Sequence, residues 1–335
     1  MKLIRCTSAL VIAWMVAFPV SSSLHAQSTS KPAPAKKGQL VMTVLDVPDV
    51  QRGAGLAIVL QTPTGKTYLY DTGNGYPSKT NQSGWVADFN MGRDILAPFL
   101  KERGIRKLDG VAISHAHYDH FGGLAWMVDN FPIKKLYDSG YTFPGEASID
   151  YTGELGHYTE IRKTFQKRRA YQSAHTGDKL SWDPKLEIEV ILPPKEFFSE
   201  AHPERRPKAD PPAHYLVNAN SLGLRIKYGD IVFLLPGDIQ TEDQRQSLLP
   251  SLPPEKFKCH VLIAPGHGIH SIPEFAGATK PEVTICSVFA RYAKGSPAPK
   301  VYGKVGSKVY LTGIHGTVTV TSDGKSYEVK VEKEK

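Results

Sequence analysis

The segment LDGVAISHAHYDHFGG, residues 108–123, limits the possible folds of this chain more than any other stretch. Its first half is an apolar run that predicts a buried strand, and three histidines and an aspartate follow within six residues. Open α/β sheets place their ligand sites at the carboxyl ends of their strands. The segment therefore predicts a strand of a central sheet whose carboxyl end carries a functional site.

The residue types after this strand are those that bind a divalent metal ion. Imidazole nitrogen and carboxylate oxygen are ligands that Zn²⁺, Mn²⁺ and Fe²⁺ accept. Alternate residues of an extended segment project to one side, and a turn at Gly122 and Gly123 can bring in the last histidine while the glycine backbone approaches a ligand. No cysteine lies in this segment, which excludes a closed zinc site of the cysteine type; a solvated histidine-rich loop is the alternative. The candidate ligands are His115, His117, Asp119 and His120.

Strand-like and helix-like segments alternate along the rest of the chain in two successive halves. QLVMTVLDV, GLAIVLQTP and KTYLYDTGNG predict strands before the histidines, and DILAPFLKERG predicts a helix. In the second half, DKLSWDPKLEIEVILPP predicts a hairpin, and six more strands are predicted by NSLGLRIKYG, DIVFLL, CHVLIAPGHG, EVTICSV, SKVYLT and GTVTVTS. Thr241 and Gln244 fit a capping box at the start of a further helix. The pattern favours an α/β sandwich of two sheets covered by helices.

The first 38 residues differ in composition from the rest of the chain. Residues 1–26 have the charged, apolar and polar order of a secretory signal, with cleavage expected after Ala26; a retained membrane anchor is the alternative. Residues 27–38 contain no apolar side chain larger than Ala or Pro, so they predict a flexible linker. We therefore expect residues 39–335 to form a single domain that is exported to the periplasm or secreted, without a membrane segment after signal cleavage.

The charge and the cysteines leave several interpretations open. Without Lys2 and Arg5, the chain has 39 basic and 33 acidic residues, a net charge of about +6 that suits an anionic small-molecule or nucleotide-like substrate, with DNA as a further candidate. Ordinary solubility explains the same excess. Cys259 and Cys286 either pair in an oxidising compartment or remain two buried thiols. The segment 195–214 is rich in proline and charge and predicts a long surface loop, of the kind that forms a lid or a binding loop. The composition leaves the oligomeric state undetermined.

Four motifs of the chain resemble those of the metallo-β-lactamase superfamily. The histidine segment has that family's pattern His-x-His-x-Asp-His after an apolar strand. YDTGNG resembles its first motif through Asp71, LLPGDI its fourth through Asp238, and VLIAPGHG its fifth through His267. NANSLGLRIKYGDIVFLLPGDI and KPEVTICSV resemble the branch of hydrolase domains found in the DNA-uptake competence protein ComEC.

The resemblance implies a four-layered αβ/βα sandwich, two mixed sheets flanked by helices, with metal ions in a cleft at one edge. It implies one or two divalent ions, with Zn²⁺ favoured and Mn²⁺ or Fe²⁺ as alternatives. Asp71, Asn220 and Ser221 are implied to support the ligands from behind. In chain order, the implied ligands are His115 and His117 for the first metal, Asp119, His120 and His267 for the second, and Asp238 between the two.

The chain departs from the superfamily pattern at the third motif, which normally provides a histidine for the first metal. Asn218, Asn220 or Ser221 stands there instead. Amide and hydroxyl oxygens are poor zinc ligands. The first site is therefore expected to be weak, to take a harder ion such as Mn²⁺, or to stay empty.

The implied chemistry is hydrolysis, because a metal-bound water forms hydroxide near neutral pH. Asp119 and Asp238 are the implied catalytic carboxylates. Two divalent ions, these two carboxylates and a hydroxide leave a pocket charge of about +1, which favours an anionic phosphate ester. We expect a phosphodiesterase or nuclease-like hydrolase. The alternatives are a hydrolase of a lactone, ester, thioester or β-lactam, and a metal-binding protein without turnover.

Overall fold

The computed structural model describes residues 36–48, 55–75, 89–142, 154–202 and 212–334. The predicted signal segment 1–26 and most of the predicted linker lie outside these ranges. Within them, no helix has the length and apolar character to cross a membrane. The strands are β1 (Leu40–Val44), β2 (Ala57–Gln61), β3 (Thr67–Thr72), β4 (Gly110–Ala112), β5 (Leu136–Asp138), β6 (Tyr171–Ser173), β7 (Leu186–Leu192), β8 (Gly223–Tyr228), β9 (Ile231–Leu235), β10 (Val261–Ile263), β11 (Val283–Cys286), β12 (Lys308–Leu311), β13 (Val318–Ser322) and β14 (Tyr327–Val331).

The helices are mostly short and connect these strands. Two π-helical turns, Gly92–Leu96 and Gln244–Leu248, and two 3₁₀ turns, Pro254–Lys256 and Pro265–Gly268, accompany them. The α-helices are α1 (Ala97–Glu102), α2 (Tyr118–Asn130), α3 (Glu154–Lys167), α4 (Pro212–Ala219), α5 (Thr241–Asp243), α6 (Leu249–Ser251), α7 (Pro273–Thr279), α8 (Ala290–Ala293), α9 (Ala298–Gly303) and α10 (Thr312–His315).

The strands form two mixed sheets. Sheet 1 has eight strands in the order β14-β13-β1-β2-β3-β4-β5-β6, and sheet 2 has six in the order β12-β11-β10-β9-β8-β7. Strands β3 to β6 run parallel in sheet 1. Strands β9 to β12 run parallel in sheet 2. Within each parallel set, the carboxyl ends of the strands therefore lie at the same edge of the sheet.

The two sheets pack face to face with helices on the outside. A central core combines inward side chains of both sheets, such as Met42 of β1 and Phe233 of β9. A second core lies between sheet 1 and helices α1 to α3 and includes Phe121. A third core lies between sheet 2 and helices α7 and α9 and includes Phe275. These layers confirm the predicted sandwich of two mixed sheets flanked by helices.

The structure corrects the prediction for the residues after His117. This residue is extended (φ −105°, ψ 144°) and is the N-cap of α2, so the last two candidate ligands lie in the first turn of a helix. Gly122 and Gly123 lie inside the same helix. A Cβ on either would come within 2.2 Å of a backbone atom, Gly75 N or Thr72 O. The glycines therefore let α2 pack tightly against the end of β3, instead of opening a turn towards a ligand.

Other local predictions also differ from the structure. Strands β5, β6 and β14 had no prediction, and the expected hairpin over DKLSWDPKLEIEVILPP contains β7 with an isolated bridge between Lys179 and Glu189. The segment 195–214 is not a loop throughout, because α4 begins at Pro212; residues 203–211 lie outside the described ranges. Cys259 and Cys286 are both free and buried, which confirms the interpretation as two buried thiols.

The predicted capping box is wrong. Gln240 is the N-cap of α5, and no side chain caps this helix end. The Gln244 side chain instead donates from Nε2 to the carbonyl oxygens of Ile239 (2.9 Å) and His270 (2.7 Å). It therefore ties the helix to the segments that follow β9 and β10.

Candidate metal centre

The predicted ligands come from the carboxyl ends of parallel strands in both sheets. In sheet 1, β3 ends at Asp71 and Thr72, and β4 leads into the histidine segment. In sheet 2, β9 leads into Asp238 and β10 into His267. Since each set of parallel strands ends at one edge, the sandwich brings four distant parts of the sequence together.

Six predicted ligands lie together at this edge. Two sets of donor atoms each lie within 4.8 Å of one another, and both sets contain His120. Asp238 Oδ2 is 3.3 Å from His120 Nε2 and 3.1 Å from His267 Nε2. His115 Nε2 is 3.0 Å from His117 Nδ1. The two sets are His115, His120 and Asp238, and Asp119, His120 and His267.

Hydrogen bonds donated by Nδ1 orient the imidazole rings from behind. His120 Nδ1 is 2.8 Å from Asp71 Oδ2, and His267 Nδ1 is 3.0 Å from the carbonyl oxygen of Ser287. Both partners accept, so in each neutral ring the proton lies on Nδ1 and the Nε2 lone pair faces the cluster. The two Nε2 atoms are 3.2 Å apart. Two facing lone pairs at this distance need a proton or a metal ion beside them, so this arrangement can hold a metal ion.

Ser114 orients the His115 ring in the same way. The Ser114 hydroxyl donates to Asp71 Oδ2 (2.7 Å), which leaves its oxygen to accept from His115 Nδ1 (2.9 Å). The His115 Nε2 lone pair then faces His117. Burial and the neighbouring His120 lower the pKa of His115 to about 3, so this ring stays in the neutral form that metals bind.

The carboxylates at the centre of the cluster stay ionised. Burial alone would raise the pKa of the Asp238 carboxyl, but the His267 and His120 rings beside it lower this pKa well below its usual range. Burial would also raise the pKa of Asp119, but the neighbouring histidines, His120 above all, lower this pKa below its usual range. Burial disfavours the protonated form of His267, yet Asp238 and Asp119 raise its pKa to about 9. The cluster therefore attracts positive charge.

Two of these residues have a strained, left-handed backbone conformation. Asp71 (φ 57°) and His267 (φ 59°) are two of the four described non-glycine residues with positive φ. Such conformations cost about 1–3 kcal/mol and persist where the surrounding structure requires them. In His267 the left-handed turn directs the ring towards Asp238. In Asp71 it lets the carboxylate accept from the Ser114 amide at 2.6 Å.

The third-motif residues take three different environments. Ser221 Oγ donates to the Asn218 carbonyl oxygen (2.8 Å) and accepts from the Asp238 amide (3.3 Å), so it supports Asp238 from behind. The Asn220 amide clamps Phe198, donating to its carbonyl oxygen (3.0 Å) and accepting from its N–H (2.9 Å). Asn220 and His115 line a common small cavity. The Asn218 side-chain oxygen is buried without a hydrogen-bond partner.

Two orienting residues were missed by the sequence analysis. Ser114 joins Asp71 to His115, and its Oγ also lies 3.3 Å from His120 Nδ1. Its position directly before the motif was a usable clue. Ser287 acts through its backbone carbonyl, which no side-chain motif can reveal; only its place at the carboxyl end of β11, beside β10, indicates it.

The chain belongs to the metallo-beta-lactamase superfamily, whose sequence profile matches residues 50–271. This confirms the resemblance, and the superfamily binds one or two divalent metal ions. A curated relative is ComE operon protein 3 of Bacillus subtilis, which is 24% identical over 217 residues; the match covers 64% of this chain and 24% of that protein, so the chain spans about a quarter of its relative's length.

The solved structures with a similar fold include the following two. Igni18, a metallo hydrolase from Ignicoccus hospitalis, has 17% identity and a TM-score of 0.45, and the match covers 84% of this chain and 98% of that chain. CmlA, a diiron β-hydroxylase from Streptomyces venezuelae, has 14% identity and a TM-score of 0.45, with 85% of this chain and 54% of that chain covered.

Proposed function

We propose that this metallo-β-lactamase-fold hydrolase cleaves phosphate esters, most concretely phosphodiesters. The observation that carries the proposal is the group of donor atoms at this edge, in which Asp119 and Asp238 are the carboxylates among the described candidate ligands. His120 can bind one ion through Nε2, and Asp238 Oδ2 lies close to both donor sets, 3.3 Å from His120 Nε2 and 3.1 Å from His267 Nε2. Two divalent ions held by neutral imidazoles and two carboxylates give the ligand shell a charge of about +1 with a hydroxide present, before the Asp71 carboxylate behind His120 is counted. Such a pocket binds an anionic ester better than a neutral one.

The chain's own residues hold and orient the reacting groups. A bound divalent ion supplies hydroxide at neutral pH and a positive charge for the oxygen atoms of the ester. Asp238, kept ionised by His120 and His267, would accept a hydrogen bond from the attacking water or hydroxide at Oδ2 and fix its direction. Asp71 and Ser287 hold the rings of His120 and His267 in place, so the ligands need no rearrangement during the reaction.

We propose Zn²⁺ or Mn²⁺ as the resident ion, with Asn218 as the third protein ligand of the first metal. Asn220 and Ser221 use their side-chain atoms in the hydrogen bonds described above, whereas the Asn218 oxygen has no partner. An amide oxygen is a harder ligand than imidazole and favours Mn²⁺ over Zn²⁺ at that position. Titration of Mn²⁺ into wild type and Asn218→Ala by calorimetry tests this; equal affinity and stoichiometry would remove Asn218 from the ligand set.

Hydrolysis of a bis-aryl phosphate by the metal-loaded protein tests the function. Wild type should release the aryl alcohol with Mn²⁺ or Zn²⁺, and Asp238→Asn, which keeps the shape but removes the carboxylate, should lose at least a hundredfold in kcat. Turnover of lactones, esters or β-lactams without phosphodiester cleavage would favour the neutral-substrate alternative. Full metal occupancy with no turnover of any class would favour a binding protein.

We further propose that residues 1–26 direct export and that 39–335 act as one hydrolase domain in the periplasm or outside the cell. The composition of the first 38 residues supports this. Expression of the full chain in a bacterial host, followed by amino-terminal sequencing of the periplasmic fraction, tests it. Cleavage after Ala26 is the expected result, and an uncleaved cytoplasmic chain would contradict the proposal.

A further inference from the structure

Strand β14 forms one end of sheet 1. It pairs with β13 on one side, and in the described part of the chain no strand pairs with its other side. Three half-buried side chains, Tyr327, Val329 and Val331, pack against the core between the sheets. Glu328 and Lys330 lie on the opposite face, 3.4 Å apart and 65% and 73% exposed. An unpaired strand edge of this kind is a template for a further strand.

The backbone of β14 has hydrogen-bonding groups on this open side. Glu332 N donates to Thr317 O just after the strand, and Asp323 N donates to Ser326 O at the turn before it. Antiparallel partners alternate between hydrogen-bonded and non-hydrogen-bonded pairs, so residues 328 and 330 direct their N–H and C=O groups towards β13. The N–H and C=O groups of residues 327, 329 and 331 therefore point to the open side.

The side chains of β14 are arranged symmetrically about Val329. In an antiparallel pair of two β14 strands centred on this residue, Glu328 of each copy lies opposite Lys330 of the other. Tyr327 lies opposite Val331, so the half-buried face continues across the pair. Residues 328 and 330 then form a non-hydrogen-bonded pair, the type with the shorter Cα separation of about 4.5 Å. Moving the centre to residue 328 or 330 would place like charges opposite each other.

Charged side chains on an edge strand by default protect it from pairing, and the other edge strands offer a comparison. At the far end of sheet 1, β6 contains no charged residue. In sheet 2, β12 contains one lysine and no acidic residue. The other edge of sheet 2, β7, is covered in part, because Leu180 N donates to Ile188 O and Val190 N donates to Asp178 O. Among the edge strands of the described ranges, β14 is the one that combines an open side with opposite charges in a symmetric spacing.

We propose that two copies of this chain form a symmetric dimer through β14, which joins their eight-stranded sheets into one. The contacts are the backbone hydrogen bonds of residues 327, 329 and 331 and two Glu328–Lys330 ion pairs between the copies. Strands β13, β1 and β2 separate β14 from β3, so at ~4.8 Å per strand the interface lies about 19 Å from the strand that ends at the metal centre. The dimer leaves that centre open and does not depend on the proposed hydrolase function.

Sedimentation velocity of the purified full chain over a concentration series tests the dimer. An interface of one short strand belongs to the small class, below about 1,200 Å², so we expect a dissociation constant on the order of 10 µM. Glu328→Lys places like charges opposite each other twice and should raise this constant about tenfold. Adding Lys330→Glu to this variant restores opposite charges and should return the constant to the wild-type value. Glu102→Lys, the same reversal at an exposed site on α1, should have no effect.

Cysteine cross-linking tests the register independently of affinity. A chain with Glu328→Cys and a chain with Lys330→Cys lie close enough in the proposed pair for a disulfide, so their mixture should cross-link on mild oxidation. Either variant alone should not, because its two new cysteines lie diagonally, with Cα atoms more than about 7 Å apart.

Three outcomes would overturn the proposal. The first is a wild-type chain that stays monomeric up to a concentration of about 1 mM, a hundred times the expected constant. The second is a dimer whose dissociation constant is the same in wild type and Glu328→Lys, which would place the interface elsewhere. The third is cross-linking of one cysteine variant alone to the same extent as the mixture, which would contradict the register centred on Val329.

Discussion

Substitution of Asp71 by Asn should weaken metal binding without disrupting the fold. The Asp71 carboxylate accepts three hydrogen bonds, from the Ser114 amide (2.6 Å), the Ser114 hydroxyl (2.7 Å) and His120 Nδ1 (2.8 Å). An Asn keeps one acceptor oxygen for the Ser114 amide and presents an NH₂ group at the other position. This NH₂ can only donate, so His120 Nδ1 must lose its proton and become the acceptor.

The expected magnitude follows from the tautomer of His120. With its proton moved to Nε2, the ring points an N–H towards Asp238 and His267, and that atom no longer has a lone pair for a metal. Loss of such an orienting partner typically lowers metal affinity by about 10–100-fold, or roughly 1.4–2.7 kcal/mol. The fold should survive, because Asn tolerates the left-handed conformation (φ 57°) of residue 71.

Competition with a chromophoric chelator measures the affinity, and ¹⁵N NMR of the His120 ring reports its tautomer. Asp71→Ala provides the contrast: it adds left-handed strain and leaves buried donors of Ser114 and His120 unpaired, at about 1–3 kcal/mol each, so its metal-free form should unfold at a lower temperature. Wild-type metal affinity in Asp71→Asn, with the proton still on His120 Nδ1, would refute the reasoning.

Three further predictions concern stability and are read from thermal unfolding. Gly123→Ala should lower the free energy of unfolding by at least about 1–3 kcal/mol, because its Cβ would lie 2.2 Å from Thr72 O. In the control Gly277→Ala in α7, the new Cβ meets no neighbouring group within 4 Å, so the free energy of unfolding should stay the same or rise by up to ~1 kcal/mol. Equal effects of the two substitutions would contradict the packing argument. Arg162→Met should lower the free energy of unfolding by about 3–5 kcal/mol, because it removes the buried cation beside Asp138 (2.7 Å). The hydroxyls of Tyr158 and Tyr171 also donate to Asp138, and a loss below 1 kcal/mol would show that they alone satisfy this carboxylate. Chelation should lower the unfolding temperature of the metal-loaded protein, since saturation at about a hundredfold excess over Kd contributes ~2.7 kcal/mol; an unchanged temperature would mean that no ion was bound to the folded state.

The long apolar strands and the order of the motifs could be predicted from the sequence. A strand that is buried on both faces appears there as a continuous run of apolar, often β-branched, residues. Strands β9 and β11 are of this kind, with every residue buried. Strands β5 and β6 have three residues each and include polar side chains, so no apolar run marks them, whereas the equally short β4 and β10 contain no polar side chain. Strand β14 alternates half-buried and exposed residues, and its pairing with β13 depends on the rest of sheet 1.

The metal ligands could be predicted because they are histidines and aspartates within recognisable motifs. The groups that orient these ligands come from parts of the chain that only the tertiary structure brings close. Pairing of Asp238 with His267 follows from two strand ends of one sheet, but the Ser287 carbonyl and the Ser114 hydroxyl act through geometry that no residue type reveals. The wrong prediction of a turn at Gly122 and Gly123 has the same origin. Gly122 and Gly123 look like turn residues until helix α2 is placed against the segment after β3, where only a missing Cβ allows the contact.

Anomalous diffraction from crystals of the metal-loaded protein tests the central claim most directly. Data collected on both sides of the Zn²⁺ or Mn²⁺ absorption edge should show an anomalous peak about 2.0–2.3 Å from the side chains of His120, His267 and Asp119, with Asp238 turned towards it. A peak elsewhere, or full occupancy by ions that leave Asp238 and His267 uncoordinated, would contradict the assignment of this edge as the catalytic centre.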